Sequence, residues 1–354
     1  MENKYKLLYV DDQSPKTIKF KLENEGFIVD TDDNEKTEDL LRKMEGNYDI
    51  YLLDFKLTEN KGLLDAPSFA SALRVGDKSK KKCPIILITN EHNLKIFAND
   101  YTSQDLFDFV ILKSIFRNNI NKYCTRMKSF VDAYRTIEKR KYNVKEILEI
   151  SDEKDVHMYL DYRFEKELSS DMITNDPYAY CRTISNLLIR TVGALIGEDY
   201  LAARLGVNKE QSPGDWQSLK LKIEKCKYKG ILSSTYDRWW MLDIMKWWEE
   251  ISDEKNLRRL SARERVDILN RIYSLNLVAA EPLEFSTSSS FWTICVATKK
   301  PLDPADGYIY SRRYRYEWEE MEYVSLYGAL NCPDYQKLVS PLDKQEIIDY
   351  GKNK

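Results

Sequence analysis

Four short apolar runs in the first third of the chain each stop at a polar residue of a particular kind. Leu7-Leu8-Tyr9-Val10 runs into Asp11-Asp12, and the run from Ile50 to Leu53 runs into Asp54. Ile85-Ile86-Leu87-Ile88 runs into Thr89, and Phe109-Val110-Ile111-Leu112 into Lys113. Continuous apolar runs of this length, without alternation, are the mark of strands buried on both faces. Such strands belong to parallel sheets covered by helices. In an open parallel sheet the carboxyl ends of the strands gather in one crevice, where ligands bind and chemistry occurs. Two acids, an acid, a hydroxyl and an amine at four such ends therefore constrain both the fold and the chemistry.

The segments between these runs read as helices. One is expected near 16–25, opened by Ser14-Pro15 and closed by Gly26, with a short strand Phe27-Ile28-Val29 after it. Further helices are expected near 35–44, 67–74 and 93–100, and from about 115 onward. The loop Thr58-Glu59-Asn60-Lys61-Gly62 follows Asp54, and the basic loop Lys78-Ser79-Lys80-Lys81-Lys82 precedes the fourth apolar strand and reads as a solvated turn. Alternating strands and helices give an α/β, flavodoxin-like (βα)5 domain over residues 1–125.

Three carboxylates in one crevice (Asp11, Asp12 and Asp54) repel one another unless a cation sits among them. Hard oxygen ligands suit Mg²⁺, which keeps waters and often takes a phosphate oxygen into its octahedron. Thr89 offers a hydroxyl and Lys113 a compact positive charge, both suited to a phosphoryl group. The implied chemistry is phosphoryl transfer onto one carboxylate, with Mg²⁺ and lysine offsetting the developing charge.

With these residues in place the segment resembles a response-regulator receiver domain. That family is marked by an acidic pair after the first strand, an aspartate after the third, Ser/Thr after the fourth and Lys after the fifth. The resemblance implies that Asp54 is the phosphoacceptor and that Asp11 and Asp12 are acids of the Mg²⁺ site. The backbone carbonyl of Lys56 is implied as a further ligand. Thr89 would bind the phosphoryl oxygen and Lys113 would contact the phosphate. Five positions depart from the family pattern or tune it. Ser114 stands where proline usually follows the lysine, and Asn90 where a small residue usually follows the threonine. The aromatic switch position falls on Val110, next to Phe109, and Lys56 and Glu91 occupy rate-tuning positions. Slow exchange with small-molecule donors and an atypical switch follow from these departures. The rival reading is a pseudo-receiver, a fold kept as a binding surface.

Residues 126–150 read as a helical connector. Ile120, Tyr123, Cys124, Met127, Phe130, Val131, Tyr134 and Ile137 recur at threes and fours, and the outer face is basic. Residues 151–354 contain all seven tryptophans, a compositional shift that marks a second domain. Helices are expected near 154–168, 178–195, 215–226, 236–251 and 262–273, then strands at Trp292-Thr293-Ile294-Cys295-Val296 and Tyr308-Ile309-Tyr310. This is a mainly α domain with a small β element, α+β in class.

Three stretches there invite functional labels. The segment from Tyr200 to Asn208 is similar to the start of a helix-turn-helix, but Ser212-Pro213-Gly214 falls where a recognition helix would run. Trp239, Trp240, Trp247 and Trp248 make either a core or, through Trp239 and Trp248, an interface. Ser311-Arg312-Arg313-Tyr314-Arg315-Tyr316-Glu317-Trp318-Glu319-Glu320 interleaves bases with aromatics, although its acids favour a self-paired surface. His157 has no partner nearby in sequence, and no established enzyme motif occurs.

A formal net charge of -3 gives no bulk attraction to nucleic acid or anionic membrane. The six cysteines are widely spread with no CxxC pair, which fits reduced thiols in a cytoplasmic protein rather than a zinc site. No apolar run approaches a membrane span and no signal-peptide pattern is seen. The expected protein is thus a response regulator, not an enzyme beyond phosphoryl transfer onto itself. Its phosphodonor would be a histidine kinase, and its output would be protein contact with an effector, or service as a phosphate sink. A homodimer is compatible with this reading. A receiver joined to an unfamiliar domain also resembles components of antiphage two-component systems of the Detocs kind. The alternatives are a DNA-binding transcriptional regulator and the pseudo-receiver scaffold.

Overall fold

The computed structural model describes residues 5–11, 16–33, 42–43, 46–56, 65–75, 82–98, 101–151, 155–310 and 315–352. The helix expected near 35–44 lies mostly outside these residues. So do Ser14-Pro15, the loop 58–62, most of the basic loop 78–82 and Ser311 to Tyr314. The chain divides into two compact units. The first holds residues 1–150, 166–183 and 230–235, and the second the remainder.

The apolar runs of the first unit are strands: β1 (Tyr5–Val10), β2 (Phe27–Asp32), β3 (Ile50–Asp54), β4 (Ile85–Thr89) and β5 (Phe109–Leu112). They form one five-stranded sheet in the order β2-β1-β3-β4-β5, with every pairing parallel. This is the flavodoxin-like order. Every residue of β3 and β4 is buried, as the absence of alternation predicts. Helix α1 (Lys16–Asn24) joins β1 to β2, and one sheet face presents Leu8, Val10, Tyr51, Leu53, Ile85 and Leu87 to Ala66, Phe69 and Ala70 of α2 (Ala66–Val75) and to Phe97 of α3 (Glu91–Ala98). A turn of helix, α4 (Tyr101–Gln104), precedes β5.

The single helix expected from residue 115 is two. α5 (Lys113–Asn118) ends at Asn119, whose φ of -133° and ψ of 40° leave the helical region. The Asn119 side chain donates to the Ile115 carbonyl at 3.2 Å, closing the helix end with a local hydrogen bond. α6 (Ile120–Lys139) then begins anew and buries Cys124, Met127, Phe130, Val131, Tyr134 and Ile137. It packs on the sheet through Phe130 against Phe109, with ring centroids 5.1 Å apart, and Tyr5 donates to Asp132 at 2.9 Å. The stripe read as a connector is therefore core of the first unit along most of its length.

Asp108, just before β5, ties the amino-terminal edge of the sheet. It accepts from Arg74 Nη2 at 2.9 Å, Ile85 N at 2.8 Å and Tyr134 Oη at 2.7 Å. The Arg74 guanidinium lies 3.5 Å over the Tyr178 ring, and Lys82 reaches Asp176 at 2.7 Å. These contacts hold the segment 166–183 within the first unit.

Among the described residues the second unit is mainly helical with three two-stranded sheets, an α+β arrangement. The helix expected at 154–168 is shorter. A 3-10 turn at Val156–Met158 and a helix at Tyr162–Leu168 replace it. The Asp155 and Asp161 carboxylates accept from the backbone N–H of His157 (3.0 Å) and Arg163 (2.9 Å), so each caps a fresh start. The helix expected at 178–195 ends earlier, as Pro177–Ile184 followed by a wider π turn at Ser185–Ile189. The 262–273 helix is as expected, with Ser261 and Glu264 forming a reciprocal capping box. The expected strand 292–296 is only Thr293–Ile294.

Trp239, Trp240, Trp247 and Trp248 are all buried. Trp239, Trp247 and Trp248 share a core with Trp216, Leu219 and Ile244. That overturns the interface reading for Trp239 and Trp248. Pro213 does not interrupt a helix; it opens one, Pro213–Lys222, at the position where its missing N–H is harmless. Seven residues, 206–212, separate that helix from Glu198–Leu205, against the three or four of a helix-turn-helix. Trp216 and Leu219 of the second helix are buried, and Trp216 Nε1 donates to Glu198 at 2.7 Å. The described part of the stretch 311–320 is paired within the second unit. Arg315 donates to the Glu319 carbonyl at 2.7 Å, and Glu320 pairs with Arg204 at 2.6 Å. Trp318 donates to the Leu187 carbonyl at 3.0 Å.

Candidate functional site

The register of the sheet brings the polar strand ends to one level. Val10 lies opposite Leu53, so Asp11 and Asp54 follow as neighbours on adjacent strands. Asp54 lies opposite Ile88, and Thr89 lies opposite Leu112, the residue before Lys113. Four of the residues singled out from the sequence therefore meet at the carboxyl edge. Asp12 lies outside the described residues. Lys56 is exposed two residues beyond Asp54.

Lys113 joins the two acids. Its Nζ is 2.8 Å from Asp54 Oδ2 and 3.0 Å from Asp11 Oδ2. The other oxygen of Asp54 accepts from the backbone N–H of Phe55 at 2.9 Å. Asp11, Asp54 and Thr89 are buried, so these charges sit where water screens them weakly. Burial pushes the Asp54 carboxyl up from its ordinary 3.8 to about 6; Asp11 adds to the rise, while Lys113 and the Phe55 N–H oppose it. Desolvation also works against the Lys113 ammonium, but the hydrogen bonds and charges of Asp54 and Asp11 hold it above the usual lysine range. Among the described contacts, two carboxylates share one ammonium at a buried edge.

Thr89 adds a second imbalance. Its side chain is fully buried and its Oγ1 has no hydrogen-bond partner among the described residues. A buried hydroxyl without a partner costs about 1–3 kcal/mol, so such groups call for a ligand or water. Buried carboxylate oxygens fit a hard cation, and an unpartnered hydroxyl at the same sheet edge as an ammonium fits an anionic oxygen. Among the described residues Asp11 and Asp54 supply the carboxylates such a cation would take.

The departures from the family pattern have structural accounts. Asn90 is committed to the start of α3: its side chain accepts from Asn93 N at 2.9 Å, and its carbonyl accepts from Leu94 N at 2.9 Å. It is a helix cap. Ser114 donates to Glu91 at 2.6 Å, joining the residue after Lys113 to the second residue after Thr89. Phe109 is held on the α6 side by Phe130 and by the Arg126 guanidinium 4.0 Å above its ring. Val110 occupies the opposite side, against the cluster of Phe97 and Phe107. No aromatic ring therefore stands at the expected switch position.

One contributor escaped the sequence reading. Tyr9 lies in an apolar run and resembles core, yet its hydroxyl donates to Asp11 Oδ2. Its spacing of two from Asp11 was the available signal, since alternate strand residues share a face.

The first segment has the receiver fold. Comparison with family models and with curated proteins matches nothing. Solved structures similar to the segment include receiver domains. Response regulator protein TrrA from Thermotoga maritima, in complex with Mg²⁺-BeF, is 27% identical over 35% of this chain and 98% of that one, with a TM-score of 0.28. The receiver domain of a sensor histidine kinase from Pseudomonas aeruginosa, with magnesium in its cleft, is 19% identical over 35% and 98%, with a TM-score of 0.29. A CheY-like receiver domain from Methylobacillus flagellatus is 22% identical over 31% and 87%, with a TM-score of 0.27. The β2-β1-β3-β4-β5 order and the polar residues at the strand ends define that fold in the segment itself. Elsewhere, His157 Nδ1 lies 3.0 Å from Glu165 on an exposed surface. Among the described residues no helix is long and apolar enough to cross a membrane.

Proposed function

We propose that the first unit accepts a phosphoryl group on Asp54 from a phosphohistidine, as a response regulator does. The observation that supports this reading is the convergence of Asp11, Asp54 and Lys113 at the carboxyl edge of the sheet, where the adjacent strand ends in a buried Thr89 whose hydroxyl has no partner among the described residues. A carboxylate oxygen of Asp54 attacks phosphorus, the P–N bond breaks, and its electron pair returns to the donor imidazole. Lys113 Nζ, already 2.8 Å from Asp54 Oδ2, faces the charge that builds on the phosphoryl oxygens. The Thr89 hydroxyl donates to one of those oxygens. Asp11 and Asp54, with Asp12 and the Lys56 carbonyl, are the residues that would hold Mg²⁺. When bound, that ion offsets charge on the acids and on the transferred group.

The kinase partner, a cytoplasmic setting and the phosphate-sink or effector-contact output all belong to this proposal. A net charge of -3 and the seven-residue separation of the 198–205 and 213–222 helices favour protein contact over DNA binding. An antiphage role rests only on the joining of a receiver to a domain of unfamiliar type.

The test is incubation of the full-length protein with radiolabelled acetyl phosphate, with and without Mg²⁺, beside Asp54→Asn. Mg²⁺-dependent label that is released by hydroxylamine, and is missing from Asp54→Asn, is the expected result. Equal labelling of the two proteins, or none from either acetyl phosphate or a phosphorylated histidine kinase, overturns the proposal in favour of a pseudo-receiver.

A further inference from the structure

We infer that Tyr9 is a positioning residue for the divalent cation of this site, acting through Asp11. The inference rests on the reading of Asp11 as an acid of that site.

Tyr9 and Asp11 stand two residues apart at the end of β1, so their side chains leave the strand on the same face. Tyr9 is fully buried, and its hydroxyl donates to Asp11 Oδ2. Lys113 Nζ approaches the same oxygen at 3.0 Å. Asp11 Oδ2 is thus held from two sides, by the first strand and by the residue that ends the last. The Asp11 backbone is fixed as well, its N–H donating to the Asp32 carbonyl at 3.0 Å.

The neighbouring residues of β1, Leu7, Leu8 and Val10, are all aliphatic and buried. An aliphatic side chain at position 9 would satisfy packing alone. The phenol instead places a hydroxyl on the acid, and without that acid the hydroxyl would be a buried group lacking this partner. Hydrogen-bonded partners of metal-ligating groups fix the ligand's orientation, and their loss typically lowers metal affinity ten- to a hundredfold. Lys113 cannot substitute for Tyr9 in this role. It is shared with Asp54 and must face the incoming phosphoryl group, whereas the tyrosine contacts Asp11 and lies within the strand layer.

Calorimetric titration of Mg²⁺ into the metal-free full-length protein tests this, comparing wild type, Tyr9→Phe and Asp11→Asn. Mg²⁺ dependence of acetyl-phosphate labelling on the same proteins gives a second readout. Tyr9→Phe keeps the ring and removes the hydroxyl. The expected result is Mg²⁺ affinity about tenfold weaker, a matching rise in the Mg²⁺ needed for half-maximal labelling, and a labelling rate at saturating Mg²⁺ within about twofold of wild type. Should Tyr9→Phe fail to fold, Tyr9→Leu carries the same expectation. Wild-type and variant affinities that agree overturn the role of Tyr9 and leave the site reading standing. A wild type that binds no Mg²⁺, or binds it as well as Asp11→Asn does, overturns the site reading and this inference with it.

Discussion

Asp54→Asn in metal-free protein is the sharpest test of the electrostatics described above. Burial holds the Asp54 carboxyl at about 6 rather than 3.8, so ionising it is harder in the folded chain than in the unfolded one. A rise of that size corresponds to about 3 kcal/mol between the two protonation states. The sign follows from proton uptake. Between about pH 4 and 6 the folded protein binds a proton that the unfolded chain has released, so this group's contribution to stability falls as pH rises. Above pH 6 the penalty is complete; below about 4 both states are protonated and it is gone. Asparagine mimics the protonated acid at every pH. With chelator present, Asp54→Asn is therefore expected to be more stable than wild type by about 3 kcal/mol at pH 7.5. That advantage should shrink through pH 6 and disappear near pH 4. The assay is urea unfolding of the full-length protein, read by pulsed hydrogen exchange in peptides from β1, β3 and β4. That readout isolates the first unit, where tryptophan fluorescence reports only the second. The midpoint should move by about 1–2 M at pH 7.5. Added Mg²⁺ should raise the wild type by about 2.7 kcal/mol at a hundredfold excess over its dissociation constant and raise the variant much less. Equal midpoints at pH 7.5, or a difference that persists undiminished at pH 4, would refute the reasoning.

Three further outcomes follow from other parts of the structure. Asp108→Ala should destabilise the first unit by about 3–5 kcal/mol, because it strands the buried Arg74 guanidinium and removes the acceptor for Ile85 N and Tyr134; urea unfolding followed in β4 and β5 peptides measures it. Gly206→Ala should lower the stability of the second unit by about 2–5 kcal/mol, read as an earlier loss of tryptophan fluorescence in urea. Its φ is +72°, and an added Cβ would lie 2.5 Å from Ala262 Cα. Asn90→Ala should cost about 1 kcal/mol by loss of the α3 cap and change the acetyl-phosphate labelling rate by less than twofold; a large acceleration would show that Asn90 obstructs the donor after all.

The sequence by itself determined the sheet and the strand-end residues. Runs such as Ile85-Ile86-Leu87-Ile88, short and alternating with helical segments, point to doubly covered parallel strands, and the polar residue that ends each run then falls at the carboxyl edge. Local signals also sufficed where a cap or a regular stripe was complete, as at Ser261 with Glu264. Tertiary structure decided matters that depend on neighbours distant in sequence. Tyr9 reads as core until Asp11 and Lys113 are seen converging on one oxygen. Trp239 and Trp248 read equally as core or interface until the helices around them close into a core. Pro213 reads as a helix breaker until the chain's own geometry places it at a helix start. Asp54 is the residue where both levels meet. Its position was written in the apolar run before it, but its reluctance to ionise arises from burial between strands, which no local pattern encodes.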